Sequence, residues 1–231
     1  MTKNRDWRLE GLENYGTFQP FSVSGKFDIP AIAPVTELKP LEWRCFGERK
    51  RDASPKTLRG SQLRDCGKFS DMGIHFFTDD YRFTSCWRQP LKYADMFARA
   101  GAVMSPDFSM YRDMPLALQL YNHYRKHWLG QFWQTCGVVV IPTISWSDSA
   151  SWDFCFDGEP RGGIVAVSTV GVKRDKEAFG LFSAGWSEML DRLSPKRVIV
   201  CGEVFDFMAR NVLVEQFGAF TDKFDKMRKE G

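Results

Sequence analysis

No apolar run in this chain approaches the roughly 20 residues that a helix needs to cross a bilayer. Charge of one sign is also scarce: 32 basic against 29 acidic side chains leave a net +3. A membrane-spanning helix and wrapping of nucleic acid by bulk charge are therefore both set aside. The six cysteines (Cys45, Cys66, Cys86, Cys136, Cys155 and Cys201) form no C-x-x-C pair and match no zinc spacing. That excludes a disulfide framework and points to a reduced, cytoplasmic protein. Met1 to Glu10 is polar and charged, unlike a secretory leader. There is no G-x-S-x-G elbow, no Walker loop and no dinucleotide fingerprint, so no nucleophile or phosphate loop declares itself by motif.

What the chain does have is a rhythm. Five times a short apolar run ends in a small polar cluster and a helix-like segment follows. Ile74 to Phe77 ends in Thr78-Asp79-Asp80, and Ala102 to Met104 in Ser105-Pro106-Asp107. Val138 to Ile141 ends in Pro142-Thr143, Ile164 to Val167 in Ser168-Thr169, and Val198 to Val200 in Cys201-Gly202-Glu203. Unbroken β-branched runs followed by crossover helices are the mark of buried parallel strands. The fold class expected is α/β with a mainly parallel sheet, either an irregular or incomplete (β/α) barrel or an open doubly wound sheet. The 231 residues suit a single domain and are short for an eight-unit barrel, which usually takes about 250.

Strands are expected near 41–46, 72–78, 102–105, 138–142, 164–168 and 197–201, and helices near 89–100, 114–135, 175–193 and 204–228. Pro90 and Pro115 stand where helices open, and Gly137 where one stops. Residues 1–20 read as loosely held. Pro20, Pro30, Pro34 and Pro40 make residues 20–43 an extended, proline-rich N-terminal segment. Residues 47–67 read as a long basic loop, with Arg49, Lys50, Arg51, Lys56, Arg59 and Arg64 outnumbering the acids, compatible with phosphate contact.

In a parallel sheet the carboxyl ends of the strands share one face, and ligands bind there. Asp79, Asp107 and Glu203 are the candidate catalytic acids, able to hold Mg²⁺ or Mn²⁺ or to work as an acid–base pair. Ser105, Thr143, Ser168 and Thr169 lie on the same face, although strand-end hydroxyls also serve as plain helix caps. Gly171 follows a strand and precedes a helix, so backbone N–H groups there suit an anion, with Lys173 and Arg174 beside it. Trp146 and Trp152 lie on a polar loop and are candidates for stacking on a base or sugar. His123 and His127 share a helical face, but Arg125 and Lys126 stand between them, so an exposed basic face is expected there and not a metal site. Gly158 to Gly163 reads as a turn.

The segments VMSPDFSMYRDMP from Val103, GVVVIPTISW from Gly137, IVAVSTVG from Ile164 and PKRVIVCGE from Pro195 resemble an uncharacterised family, a domain of unknown function carried by bacteriophages, prophages and other mobile elements. The resemblance spans about residues 20–205. It implies a phage-borne protein acting inside a bacterial host cell, and it carries over no catalytic residue. Proteins of that kind handle nucleic acid or nucleotides, or block host defence. The leading expectation is therefore a site for a phosphate-bearing ligand, nucleotide or nucleic acid, at the strand carboxyl ends. The alternatives are a metal-assisted phosphodiesterase or carboxylate-pair glycosidase on the same face, and an inhibitor that docks on a host protein.

Overall fold

β-Branched residues in unbroken runs have to be covered on both faces, and the architecture follows from that need. The computed structural model describes residues 14–47 and 70–218, without the side chains of Tyr15, Gly16 and Arg174. Most of the loosely held stretch at 1–20 and nearly all of the basic loop at 47–67 lie outside the described residues. The chain starts with a short helix, α1 (Asn14–Thr17), and a two-stranded antiparallel hairpin, β1 (Val23–Ser24) with β2 (Ile29–Pro30). Strands β3 (Glu42–Cys45) and β4 (Met72–His75) follow, then helices α2 (Thr84–Arg88) and α3 (Pro90–Phe97), β5 (Ala102–Met104) and the long α4 (Leu116–Thr135). The remainder is β6 (Val140–Ile141), β7 (Ile164–Ser168), α5 (Lys176–Leu193), β8 (Arg197–Cys201) and β9 (Leu213–Phe217).

Every pairing from β3 to β9 is parallel, and neighbours follow chain order: β3-β4-β5-β6 in one sheet, β7-β8-β9 in the next. A parallel bridge between Thr143 and Ala166 joins the two. Trp43 on β3 stacks on Phe217 of β9, with ring centroids 5.8 Å apart, so the first and last of these strands approach one another. A doubly wound sheet reverses its strand order in the middle, and the order here runs without reversal.

The two side-chain periods of the strands fill two kinds of core. Ala102, Met104, Ile141, Ile164, Ala166 and Ile199 meet in one cluster lined by Trp43, Phe77 and Phe217. Their alternates face helices: Ile74, Val103 and Val140 pack with Trp128, Phe132 and Trp133 of α4, and Val165, Val167, Val198 and Val200 with Phe182, Trp186 and Met189 of α5. Val35, Leu38 and Leu41 of the proline-rich segment pack on the first cluster. Val35 O accepts from Ile164 N (2.7 Å) and Leu38 O from the Arg197 guanidinium (3.2 Å), at the first residues of β7 and β8. That segment thus lies against the amino-terminal ends of β7 and β8.

Two expectations are corrected. Where a helix was expected from residue 204, a 3₁₀ turn (Met208–Arg210) leads into β9, which pairs with β8 in the register Val198 to Val214; residues 219–228 of that helix lie outside the described part. The edge of β8 needed backbone partners, and Leu213, Val214 and Phe217 suit a pleated surface. The exposed basic face expected on α4 is instead interior: His123, Lys126 and His127 are each no more than 1 % exposed. Trp128, Leu129, Phe132 and Trp133 pack one side of α4, and the N-terminal segment covers another. There His127, Gly130, Gln131 and Gln134 receive residues 30–33 through Pro30 O, Ala31 O and both backbone groups of Ala33. A Cβ on Gly130 would lie 2.6 Å from Ile32.

Gly73 of β4 sits against Trp43, where an added Cβ would lie 2.4 Å from the indole. Gly73→Ala is expected to cost about 1–3 kcal/mol by overpacking, read as a lower midpoint in urea unfolding.

Candidate functional site

The carboxyl ends of β5, β6 and β7 enclose a cavity of about 360 Å³. Asp107 enters it from the segment after β5, Ser145 to Ser147 from the segment after β6, and Ser168 and Gly171 from the turn after β7; Tyr111 and Phe182 close its sides. The segment carrying Asp107 is held firmly. Ser109 donates to Asp80 from its backbone N (3.2 Å) and its hydroxyl (2.8 Å). The Arg125 guanidinium lies 3.6 Å from the centre of the Phe108 ring and 3.8 Å from Asp80.

Asp107 is the group with unusual chemistry. Burial pushes its carboxyl up to about 7, with the Asp80 carboxylate adding to the effect and Lys126 and a hydrogen bond with Ser145 opposing it. A carboxyl that loses its proton near neutrality, at the wall of a cavity, is equipped for proton transfer.

Behind it lies a buried polar cluster. Lys126 Nζ donates to Thr143 O (2.7 Å) and to Glu159 Oε1 (2.9 Å). His127 places Nδ1 2.9 Å from Pro30 O and Nε2 2.9 Å from Glu159 Oε1. His123 Nε2 lies 2.9 Å from Asp157 O. Burial alone would raise the Glu159 carboxyl, but His127 and Lys126 beside it outweigh that and hold it below its ordinary range. Burial pushes His123 well down, helped by the positive charge of its neighbours His127 and Lys126. The donor atoms of His123, His127 and Glu159 lie within 4.8 Å of one another, the arrangement among the described residues that could hold a metal ion.

Of the residues expected at the site, Asp107, Trp146, Ser168 and Gly171 come together on the cavity wall. The Trp146 ring packs on Phe182 at 5.4 Å, and its Nε1 donates to Leu181 O. Gly171 has φ 85°, the left-handed conformation that favours glycine. Ser105 and Thr143 are buried and clasp each other, Thr143 N donating to Ser105 Oγ and Thr143 Oγ1 to Ser105 O, both at 2.8 Å, which ties the end of β5 to that of β6. Thr169 donates to Glu203 O (2.8 Å). Lys173 and Glu203 pair with each other at 2.7 Å, and Asp79 with Arg82 at 3.3 Å. Neither Asp79 nor Glu203 is on the cavity wall with Asp107. Trp152 packs in the core beside α5, and its carbonyl accepts from Arg192. Arg174 lies in a 3₁₀ turn (Val172–Arg174).

Sequence reasoning passed over Glu159 and Ser145, read Lys126 as part of an exposed basic face, and gave Asp80 no role beyond the strand-end cluster. Lys126 and Glu159 carried a signal: a basic and histidine-bearing stretch runs straight into Trp128-Leu129, and a lone acid sits in the Gly158–Gly163 turn. Neither is how a solvated surface usually reads.

The chain belongs to the family described as Domain of unknown function (DUF4417), which it matches over residues 24–218. It is similar to the Gene 1 protein of Mycobacterium phage D29, 41% identical over 184 residues, covering 80% of this chain and 63% of that protein. It is also similar to the Gene 1 protein of Mycobacterium phage L5, 36% identical over 185 residues, covering 80% of this chain and 75% of that protein. The chain therefore spans less than two thirds of the length of the D29 protein. No solved structure matches it. Among the described residues, no helix is long and apolar enough to cross a membrane.

Two predictions follow from the electrostatics. In the folded chain Asp107 keeps its proton up to about pH 7, against 3.8 for the ordinary carboxyl. Between those values the folded state binds the extra proton, so stability falls as pH rises through that window and levels off above it. The stability of Asp107→Asn relative to the unaltered chain should therefore rise by on the order of 3 kcal/mol from about pH 4 to about pH 8, measured by urea unfolding at both. Lys126→Met leaves the Glu159 carboxylate buried without its ammonium partner and is expected to cost about 3–5 kcal/mol, read the same way near pH 7.

Proposed function

We propose that the cavity at the strand carboxyl ends binds a small ring-bearing polar ligand of the nucleoside or nucleotide class, and that Asp107 exchanges a proton with it. The carrying observation is the Asp107 carboxyl, pushed up to about 7 on the wall of this cavity. A general acid or base is most effective when it titrates near the working pH. The cavity falls in the lower part of the range of small-molecule sites, which is about 300–1,000 Å³. Its walls combine flat rings (Tyr111, Trp146 and Phe182) with hydroxyls (Ser145, Ser147 and Ser168), which suits a planar base or a sugar.

A cradle for phosphate in the Ser168–Gly171 turn has weaker support. Lys173 is paired with Glu203, and Arg112 on the cavity wall with Glu177. The first N–H groups of α5 are already capped by the Asp175 carboxylate, which accepts from Glu177 N (2.8 Å) and Ala178 N (3.4 Å). A phosphate, if the ligand has one, is better placed at the rim than in the cavity. The metal-assisted reading through Asp79, Asp107 and Glu203 is likewise less supported, because two of the three acids are engaged in ion pairs.

The test is calorimetric binding of nucleosides, nucleotides and simple sugars to the full chain at about pH 6 and pH 8. A nucleoside or nucleotide should bind with an affinity that differs between the two, and Asp107→Asn should weaken it at least tenfold, about 1.4 kcal/mol, and remove the difference. Failure of every nucleoside and nucleotide to bind the unaltered chain, or undiminished binding by Asp107→Asn, refutes the proposal.

A further inference from the structure

The buried cluster behind Asp107 has two loose ends. His123 Nδ1 and Glu159 Oε2 are both buried and have no hydrogen-bond partner. Both can accept: His123 Nε2 faces the Asp157 carbonyl, which calls for a hydrogen on Nε2 and leaves Nδ1 to offer its lone pair. Leaving such atoms dry is costly. What they lack is something that accepts electron pairs.

The surroundings resemble the outer shell of a metal centre. A histidine that ligates a metal almost always gives its other ring N–H to a carbonyl or carboxylate, which fixes the tautomer. Here both histidines do so: His127 Nδ1 to Pro30 O and His123 Nε2 to Asp157 O, each at 2.9 Å. The two rings sit one helical turn apart with centroids 4.3 Å from each other. His127 Nε2 and Glu159 Oε1 are 2.9 Å apart, joined by a shared hydrogen; an ion bound to both would part them to roughly 3.4 Å. Gly158 makes the approach feasible, since a Cβ there would lie 2.8 Å from His127 Nδ1 and 2.7 Å from Pro30 O.

We propose that His123, His127 and Glu159 bind one divalent transition-metal ion, with zinc the favoured class, through Nδ1, Nε2 and the carboxylate. The ion takes the place of the hydrogen between His127 Nε2 and Glu159, and it supplies the missing partner of His123 Nδ1. The donors lie within 4.8 Å of one another, and small side-chain adjustments bring them to bonds of about 2.0–2.2 Å. Lys126 stands against the same carboxylate and opposes any cation. That selects against magnesium and calcium, which rely on carboxylate charge, and leaves ions that prefer imidazole. Arg125, the other basic neighbour, points away over Phe108. The role is structural: the ion joins α4 to the turn at Glu159, and through Pro30 to the N-terminal hairpin.

The experiment uses the full chain, stripped with a chelator and reloaded with Zn²⁺ or, as a coloured probe, Co²⁺. One equivalent should bind and raise the melting temperature, while Mg²⁺ does neither. X-ray absorption of the zinc-loaded chain should show two imidazoles in the coordination sphere. His123→Gln keeps a donor for Asp157 O and deletes the Nδ1 lone pair, so it should lower zinc affinity at least tenfold with the fold intact by circular dichroism. Absence of zinc uptake by the unaltered chain, a coordination sphere without two imidazoles, or unchanged affinity in a folded His123→Gln each overturns the proposal. If that variant does not fold, the absorption spectrum of the unaltered chain decides alone.

Discussion

A buried ammonium is the constraint around which this structure is arranged. Lys126 rises from the middle of α4 and ends against Thr143 O and the Glu159 carboxylate, 1 % exposed. Desolvating such a group costs several kcal/mol unless its partners are fixed, so each partner must be held from elsewhere. Thr143 is held by Ser105, which pins the end of β6 to the end of β5. Glu159 is held by His127, and His127 by the carbonyl of Pro30. The N-terminal hairpin, α4 and two strand ends are therefore linked through one charge. The same charge opposes the rise of the Asp107 carboxyl and so helps set where it titrates.

The parallel array tolerates this polar centre because its central strands, β5, β6 and nearly all of β7 and β8, are apolar on both faces. The inner cluster of Ala102, Met104, Ile141, Ile164, Ala166 and Ile199 has no side chain that can hydrogen-bond, and the helical cores on either side are dominated by aromatic rings. Each large side chain buried there contributes about 1.5–3 kcal/mol relative to exposure, enough in sum to support one costly interior charge. Buried polar groups then gather at the carboxyl-terminal end of the strands and at the turn at Glu159, while the half-buried Arg197–Glu215 pair joins β8 to β9.

Much of the fold was legible because it depends on a local signal. A run such as Ile164 to Val167 between Gly163 and Ser168 states its own length, and β7 and β8 occupy the expected residues. The strand β9 was not legible: Leu213 to Phe217 mixes apolar and polar residues as a helix face does, and only the unpaired edge of β8 determines its form. The site divides the same way. Asp107 and Ser168 reach one wall because parallel strands end together, a rule that needs only strand positions. The burial of His123, Lys126 and His127 depends on the N-terminal segment folding back over α4, a contact between residues some 100 apart in the chain. No window along the sequence reports it.

That fold-back also explains why a proline-rich stretch lies against a helix at all. Pro30 and Pro34 lack a backbone N–H and favour extended chain, which leaves the backbone groups beside them open to side chains of α4. Along residues 22–33, Ser22 O and Ala31 O accept from Gln131, Pro30 O from His127 and Ala33 O from Gln134. These side chains recur at helical spacing on one face of α4, and two of them also accept from the segment, Gln131 Oε1 from Phe21 N and Gln134 Oε1 from Ala33 N. The segment thus serves as the outer layer of the buried cluster: it orients His127 through Pro30 O and, through Val35 O and Leu38 O, caps the first residues of β7 and β8.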